Sequence, residues 1–257
     1  MRQLKEGSLN EHSFVLSFDD GYRDVMSIAF PILKAMKIPF AVFINNRVLD
    51  SRSSLWFDKA YALIGSTMSS VKIEWTRHIK QYFKCTNPAN CASSLCNLLA
   101  GKSPKEQEYF LSNLFGMKMM KKANALCKSL YLTSEDIKWF YESGIVEVGS
   151  HTVNHVNLIS CDSMTLEKKL VKSKIGLEKI LNVPVNYLSY LNGFYSSEVI
   201  EAAKQAGYTG AFATGAGSLK DEFALRRVNM GLGPFWRFAL NNIPILPGRF
   251  DRNSISQ

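Results

Sequence analysis

Two of the four histidines in the chain, His151 and His155, lie four residues apart in the stretch VGSHTVNH. Side chains at positions i and i+4 of a helical turn project in the same direction, so the two rings are placed to share one metal ion. By itself the pair is a weak signal for a metal, because single histidines are commonly core or surface residues. A metal site needs a third ligand from elsewhere. A carboxylate is the natural candidate, since two histidines and one carboxylate form a recurrent hydrolytic zinc site.

Two adjacent carboxylates, Asp19 and Asp20, follow the apolar run SFVLSF and precede Gly21. Neighbouring carboxylates after a buried strand repel each other unless something compensates their charge. A helix N-cap or a turn at Gly21 accounts for one of them. A bound cation accounts for both, with one carboxylate on the metal and the other beside it as a general base. The two carboxylates and the two histidines therefore predict a metal-dependent hydrolytic site, provided that the fold brings them together.

The elements that position these residues alternate between strand and helix. Apolar runs at residues 13–18 and 39–44, with a helical pattern between them, form a βαβ unit and imply parallel strands. Further strands are predicted at residues 145–148, 185–190, 210–213 and 225–230, and helices at 133–144, 163–181, 196–208 and 234–242. The first helical pattern places these apolar residues on one face: Val25, Ile28, Ala29, Ile32, Leu33 and Met36. Such alternation predicts a barrel-like or open parallel sheet, with the active site at the C-terminal ends of the strands.

Residues 51–130 have a different character, because the β-rich runs largely stop and apolar residues recur at helical spacing. We predict a mostly helical insertion there, with a short strand near residues 69–75. The insertion lies within a single domain that covers residues 1–257.

The stretches SFDDGY, VGSHTVNH and YLSYLNG, the last followed by IEAAKQAGYTGAFAT, resemble the polysaccharide deacetylase family. This family is also called the NodB homology domain or carbohydrate esterase family 4. The resemblance covers residues 13–46 and 133–228, and SLWFDKAYALI is similar to a segment of members from capsule and O-antigen biosynthesis. It implies an α/β fold, a distorted (β/α)7-type barrel, and metal-dependent removal of acetyl groups from amino sugars.

The resemblance also implies roles for individual residues. By their positions in the motifs, Asp20, His151 and His155 match the ligands of one divalent metal ion. Zn²⁺ is the expected metal, with Co²⁺, Mn²⁺ or Ni²⁺ as alternatives. Asp19 matches the general base that takes a proton from the attacking water, and Tyr190 matches the residue whose backbone N–H helps to hold the oxyanion.

The third motif departs from the family pattern of Arg-x-Pro-x-Gly or Ser-Tyr-Pro-x-Gly, because it reads Ser-Tyr-Leu-Asn-Gly at residues 189–193. The arginine that often orients the base is Ser189 here. Arg226 or Arg227 is a candidate to supply that charge, and a salt bridge on the barrel rim is the alternative. Substrate contacts are expected from Tyr22, Asn192 and Trp56. The aromatic residues around Trp56 either stack on a sugar or pack in the core of the insertion.

A second departure concerns acid catalysis. Many members use a late histidine to protonate the leaving amine, and no histidine follows His155. Three outcomes are open: an active enzyme with altered acid catalysis, a slow enzyme, or a metal-binding pseudoenzyme that binds carbohydrate. A hydrolase of formyl or non-sugar amides is a further alternative.

Composition limits the partners. The chain of 257 residues carries a formal net charge of +9, but its basic residues are scattered, so no nucleic-acid partner is predicted. No apolar run is long enough for a transmembrane segment, and the first residues lack the apolar core of a secretory signal, which predicts a cytoplasmic protein. The five cysteines are expected to be reduced. The expected partner is an acetylated amino sugar, nucleotide sugar or oligosaccharide, while the particular sugar, the acyl group and the oligomeric state are not determined.

Overall fold

Six parallel strands form the centre of the fold in this computed structural model. It describes residues 14–49, 54–69, 82–85, 87–215, 217–218 and 221–230. The strands pair side by side in chain order. They are β1 (Leu16–Asp19), β2 (Phe40–Ile44), β3 (Val146–Ser150), β4 (Tyr187–Ser189), β5 (Gly210–Thr214) and β6 (Leu225–Arg227).

The sheet is curled into a half-barrel. Arg227, at the end of β6, donates two hydrogen bonds of 2.7 and 2.8 Å to Asp19, at the end of β1. These two strands lie at opposite edges of the sheet in its pairing order, so their side chains meet only because the sheet bends round. The predicted architecture of a parallel (β/α) barrel is confirmed, with six strands in the part of the chain that the structure describes.

Seven α-helices are described, and four of them come between β2 and β3 in the order of the chain. They are α1 (Phe30–Ala35), α2 (Trp56–Ser69), α3 (Pro88–Leu99), α4 (Pro104–Lys128), α5 (Ser134–Glu142), α6 (Ser163–Leu181) and α7 (Ser197–Gln205). None of these described helices is both long and apolar enough to cross a bilayer. All five residues of β2 are buried, as expected for a central parallel strand that is covered on both faces.

Side-chain caps explain where two of the helices begin. Thr133 accepts a hydrogen bond from the Asp136 amide at 3.2 Å, and the Asp136 carboxylate accepts one from the Thr133 amide at 2.8 Å. Together these two hydrogen bonds form a capping box. Asp162 accepts from the Thr165 amide at 2.9 Å, which explains why α6 covers the predicted residues 163–181.

The predicted apolar face of the first helix is wrong. Ile28, Ile32 and Met36 are exposed, whereas Val25, Phe30 and Leu33 are buried. The reason is a π-helical turn at Val25–Ala29 directly before α1. The hydrogen bonds of a π turn join residues five apart, instead of four apart as in an α-helix. The turn therefore shifts the buried face out of the α-helical phase that the sequence pattern suggested.

Helices α2, α3 and α4 pack around a hydrophobic core of their own, which includes Leu63, Leu95 and Leu111. The Lys59 side chain is buried on α2 and pairs with Glu108 of α4 at 2.7 Å, which ties the two helices together. The division into one domain with an insertion at residues 51–130 stays a prediction. The predicted strand at 69–75 falls almost entirely outside the described residues, and the helix at 234–242 lies wholly outside them.

Cys85 and Cys91, at the start of α3, form a disulfide bond, with their Cα atoms 5.2 Å apart. The expectation that all cysteines are reduced is therefore wrong for this pair. Cys96, Cys127 and Cys161 are free.

Candidate metal centre

Two loops at the C-terminal ends of β1 and β3 carry the predicted ligands. Asp19 is the last residue of β1, and the chain turns sharply through Asp20 (φ 69°) and Gly21 (φ 79°), whose amide donates to the Asp19 carbonyl at 2.9 Å. Glycine tolerates this left-handed conformation, whereas an aspartate there is uncommon and points to a constrained site. The turn directs two successive carboxylates to the same edge of the sheet.

The His151–His155 loop is not the helical turn that the spacing suggested. His151 directly follows β3, and its amide still donates to the Ile44 carbonyl of β2 at 2.8 Å. Thr152, Asn154 and His155 then adopt left-handed conformations, with φ of 67°, 67° and 50°. This tight loop, rather than a helix, brings the two rings to a centroid distance of 5.7 Å.

The ligand atoms of Asp20, His151 and His155 all lie within 4.8 Å of one another. His155 Nε2 is 3.5 Å from Asp20 Oδ1, and His151 Nε2 is 3.8 Å from the same oxygen. Asp19 lies beside this cluster, with Oδ2 3.9 Å from His151 Nε2. The structure thus brings together the three predicted ligands and the predicted base, although they come from distant parts of the chain.

A backbone carbonyl fixes the orientation of the His151 ring. Its Nδ1 lies 2.9 Å from the carbonyl oxygen of Ser189. Because a carbonyl only accepts hydrogen bonds, Nδ1 carries the proton in this contact. The lone pair of the neutral ring is therefore on Nε2, which faces the carboxylates. This second contact is the usual way in which a protein orients a histidine for metal binding.

The donor set fits one divalent cation. Asp20 Oδ1 is buried and has no hydrogen-bond partner, which is costly for a carboxylate oxygen unless a cation compensates. Burial and then the charge of Asp19 raise the pKa of Asp20 to about 6, against the opposing effect of His151. Burial and the neighbouring His151 lower the pKa of His155 to about 3, so its imidazole is neutral and able to donate a lone pair. Two imidazoles and a carboxylate match a hydrolytic zinc-type site.

Arg227 holds Asp19 in a bidentate ion pair. Its Nη1 and Nη2 donate to Asp19 Oδ1 and Oδ2 at 2.8 and 2.7 Å. The guanidinium also donates to the hydroxyls of Ser189 at 2.7 Å and Ser17 at 3.2 Å, and lies 5.3 Å from the centre of the Phe43 ring. Burial alone would raise the pKa of Asp19, but His151 and Arg227 outweigh it and lower the pKa, so the carboxylate stays ionised.

Only one of the two candidate arginines reaches the site. Successive side chains of a strand point to opposite faces, so Arg226 points away from Asp19 and is exposed. The hydrogen bond between Arg227 and Ser189 shows that β6 supplies the guanidinium that the third motif lacks at Ser189.

Comparison with known proteins identifies the family of the chain. The family described as polysaccharide deacetylase matches residues 86–211, which include the histidine loop but not Asp19 and Asp20. The chain belongs to the polysaccharide deacetylase family. The Bacillus subtilis (strain 168) protein named "Putative polysaccharide deacetylase YxkH" is 27% identical over 106 residues, which are 40% of this chain and 38% of that protein. The chain thus matches well under half the length of this curated relative.

Solved structures of deacetylases share the fold. A de-N-acetylase from Aggregatibacter actinomycetemcomitans is 17% identical, with a TM-score of 0.54 over 88% of this chain and 74% of that one. The Streptococcus pyogenes deacetylase PplD is 16% identical, with a TM-score of 0.52 over 89% and 68%. BC0361, a polysaccharide deacetylase from Bacillus cereus, is 19% identical, with a TM-score of 0.52 over 93% and 54%. At these identities the likeness concerns the fold.

The role predicted for the Tyr190 amide does not fit its contacts in the structure. Its amide already donates to the Phe212 carbonyl of β5 at 3.0 Å. Its ring is fully buried, and its hydroxyl donates to the Phe223 carbonyl at 2.8 Å. The N–H is thus part of the sheet and not available to an oxyanion. Asn192, a predicted substrate contact, lies exposed in the turn that follows.

The beginning of α2 lies directly against the cluster of Asp20, His151 and His155. The Phe57 ring meets His155 edge to face, with centroids 4.9 Å apart. Asp58 accepts hydrogen bonds from the hydroxyls of Tyr22 at 2.8 Å and Tyr131 at 2.5 Å. Tyr22 is two residues from Asp20, so these contacts join the helical segment to the loop that carries the carboxylates.

Two of the residues that were expected to bind substrate are engaged by other parts of the protein. The Tyr22 hydroxyl is engaged by Asp58, and Trp56 packs against the core of α2, α3 and α4. Phe57, which was considered only as one of the aromatic residues around Trp56, is the one that contacts His155. The segment SLWFDK was noticed, but its letters do not show which of two adjacent aromatic side chains faces the histidines.

Proposed function

We propose that this chain is a metal-dependent hydrolase that removes the N-acetyl group of an amino sugar, in a precursor or unit of a bacterial surface polysaccharide. The observation that carries the proposal is the juxtaposition of two kinds of group. A buried Asp20 oxygen without a hydrogen-bond partner lies within 3.8 Å of two histidine Nε2 atoms. Beside it, a carboxylate is held ionised by an arginine fork.

Asp20, His151 and His155 would hold the metal, which we propose to be Zn²⁺. When bound, a divalent metal polarises the amide carbonyl and makes water a better nucleophile at neutral pH. The remaining chemistry belongs to residues of the chain. Asp19 borders the cluster and takes the proton of the attacking water. Arg227 keeps that carboxylate ionised and fixes its orientation.

Protonation of the leaving amine is assigned to the same carboxylate. No histidine follows His155 in the chain, and Asn229, which lies just after β6, has no acidic proton. Asp19 gains a proton when water attacks, and it lies beside the cluster where the amine departs. In this scheme one residue acts first as base and then as acid.

A metal-binding carbohydrate-recognition protein is the second candidate function. The observation that favours it is the Tyr190 amide, which is bonded to Phe212. An oxyanion donor lost from an active site typically lowers turnover by about 100-fold to 1000-fold. This candidate predicts tight metal and sugar binding without turnover.

The experiment that tests the proposal is acetate release from N-acetylated amino sugars, nucleotide sugars and oligosaccharides. The protein is stripped of metal and then reloaded with Zn²⁺ or Co²⁺. Asp19→Asn is the test variant, and Asp24→Asn, at an exposed position nearby, is the matched control. Metal-dependent release that only the first variant abolishes supports the deacetylase. Tight metal binding with no release from any substrate favours the second candidate, and absence of metal binding contradicts both.

A further inference from the structure

A groove of about 760 Å³ lies between the 3₁₀ turn Asn46–Leu49 and the outer face of α6. The helix and the turn lie so close together that a Cβ atom at Gly176 would collide with the Asn46 side chain. Eleven residues line the groove, and they are Asn46, Arg47, Leu49, Val153, Asn154, Lys168, Val171, Lys172, Ile175, Gly176 and Ile180.

The groove adjoins the histidine loop at Asn154. Asn154 lines the groove and directly precedes the ligand His155. Its side-chain oxygen accepts a hydrogen bond from Arg47 Nη1 at 3.3 Å. The groove therefore borders the loop that carries His151 and His155.

The charges in the groove are all positive. Arg47 is held in place by its hydrogen bond from Nε to the Ser54 carbonyl, at 2.9 Å. Lys168 and Lys172 lie one turn apart on α6, and both are exposed. Like charges at this spacing destabilise a helix, and no carboxylate is among the residues that line the groove. The groove therefore suits an anion, such as a phosphate group.

The uncharged lining is mainly aliphatic. Leu49, Val171, Ile175 and Ile180 contribute branched side chains, and no aromatic residue is among the lining residues. A nucleobase is usually held by stacking on an aromatic ring, so the lining favours an alkyl or isoprenoid chain over a nucleotide. The helix from residue 168 to residue 180 spans about 18 Å, which is enough to follow an extended chain.

We propose that this groove binds the phosphate and the adjoining lipid chain of a lipid-linked amino-sugar substrate. The inference rests on the proposed function, since it names the substrate class of the same site. Arg47, Lys168 and Lys172 receive the phosphate, and the aliphatic residues of α6 contact the chain, while the acylated sugar lies at the metal centre.

The test is a binding measurement that needs no turnover, so its outcome is independent of the deacetylase assay. Farnesyl phosphate, used below its micelle concentration, is titrated into the full chain by calorimetry at fixed salt. Farnesol, inorganic phosphate and uridine diphosphate are the comparison ligands. The test variant is Lys168→Glu with Lys172→Glu. The matched control is Lys118→Glu with Lys122→Glu, two exposed lysines at the same spacing on α4.

Farnesyl phosphate is expected to bind at least tenfold more tightly than farnesol, phosphate or uridine diphosphate. The test variant is expected to lose about 30-fold or more in affinity, because each cation beside an anionic lipid headgroup contributes about fivefold. The control is expected to stay within twofold of the wild type. Equal binding by the two double variants would overturn the proposal. So would phosphate binding as tight as that of farnesyl phosphate, which would indicate a plain anion site, or preferred binding of uridine diphosphate, which would indicate a nucleotide substrate.

Discussion

Replacement of Arg227 by methionine tests the link between β6 and the base. The change removes both hydrogen bonds to Asp19, whose side chain is 30% exposed, while that of Arg227 is 13% exposed. Hydrogen bonds to charged groups contribute about 1.5–3 kcal/mol each, which gives about 3–6 kcal/mol for the two. Water reaches Asp19 and partly replaces them, so we expect a loss of about 2–4 kcal/mol in the free energy of unfolding.

The same change is expected to lower kcat/KM by about 100-fold, because the base loses its fixed orientation. Metal affinity is not expected to fall, since Arg227 forms no hydrogen bond with Asp20, His151 or His155. Arg227→Lys keeps the positive charge but not the planar fork, so its kcat/KM should lie between those of the wild type and Arg227→Met. Stability is measured by urea unfolding, metal affinity by calorimetry and activity by acetate release.

Arg226→Met provides the matched control, because Arg226 is the next residue on the same strand and is exposed. Its unfolding free energy should change by less than about 0.5 kcal/mol. A kcat/KM of Arg227→Met within threefold of the wild type would show that Arg227 does not orient the base. A large loss of stability with unchanged activity would mean that the arginine only joins the two edges of the sheet.

Three further perturbations test other parts of the structure. Zn²⁺ at 100 times its Kd should stabilise the wild type by about 2.7 kcal/mol and leave Asp20→Asn unaffected in a thermal scan; an equal response of both proteins would exclude Asp20 as a ligand. Phe57→Ala should weaken metal binding about threefold to tenfold in calorimetry, because the edge-to-face pair with His155 contributes about 0.5–1.5 kcal/mol, whereas an unchanged Kd would show that Phe57 does not hold the ring. Reduction of the Cys85–Cys91 disulfide should lower the unfolding free energy by roughly 2 kcal/mol, and a Cys85→Ser variant that still responds to reductant would contradict this assignment.

Elements with strong local signals were predictable from the sequence. Helix α6 begins where Asp162 caps it, and its regular apolar spacing gives both ends correctly. Strand β2 was recognised from a short, uninterrupted apolar run. The proximity of Asp20, His151 and His155 was also predictable, because the motifs that contain them resemble those of the polysaccharide deacetylase family.

Features that depend on tertiary contacts were not predictable from the sequence. The π turn before α1 changes which apolar side chains are buried, and no residue type marks it. The amide of Tyr190 is engaged because β5 lies next to β4, a pairing that the third motif does not encode. Likewise, adjacent letters do not show that Arg227 rather than Arg226 faces the site.

The Cys85–Cys91 disulfide bond argues against the predicted cytoplasmic location. Disulfide bonds persist mainly in oxidising compartments, and Cys85 and Cys91 form one. The sequence separation of six between these cysteines gave no CxxC signal. Their pairing became evident only from the fold of the helical segment.

The position of the helical segment between paired strands affects how the chain folds during synthesis. β2 ends at Ile44 and β3 begins at Val146, so 146 − 44 − 1 = 101 residues separate two strands that lie side by side. At about 5–20 residues per second, the ribosome needs about 5–20 seconds to supply the missing neighbour. During that interval the apolar edge of β2 has no partner on the β3 side, which is a recognised route to aggregation. Slow translation at low temperature lengthens this exposure, and co-expression with a chaperone that covers nascent apolar segments is the measure that should raise the soluble yield.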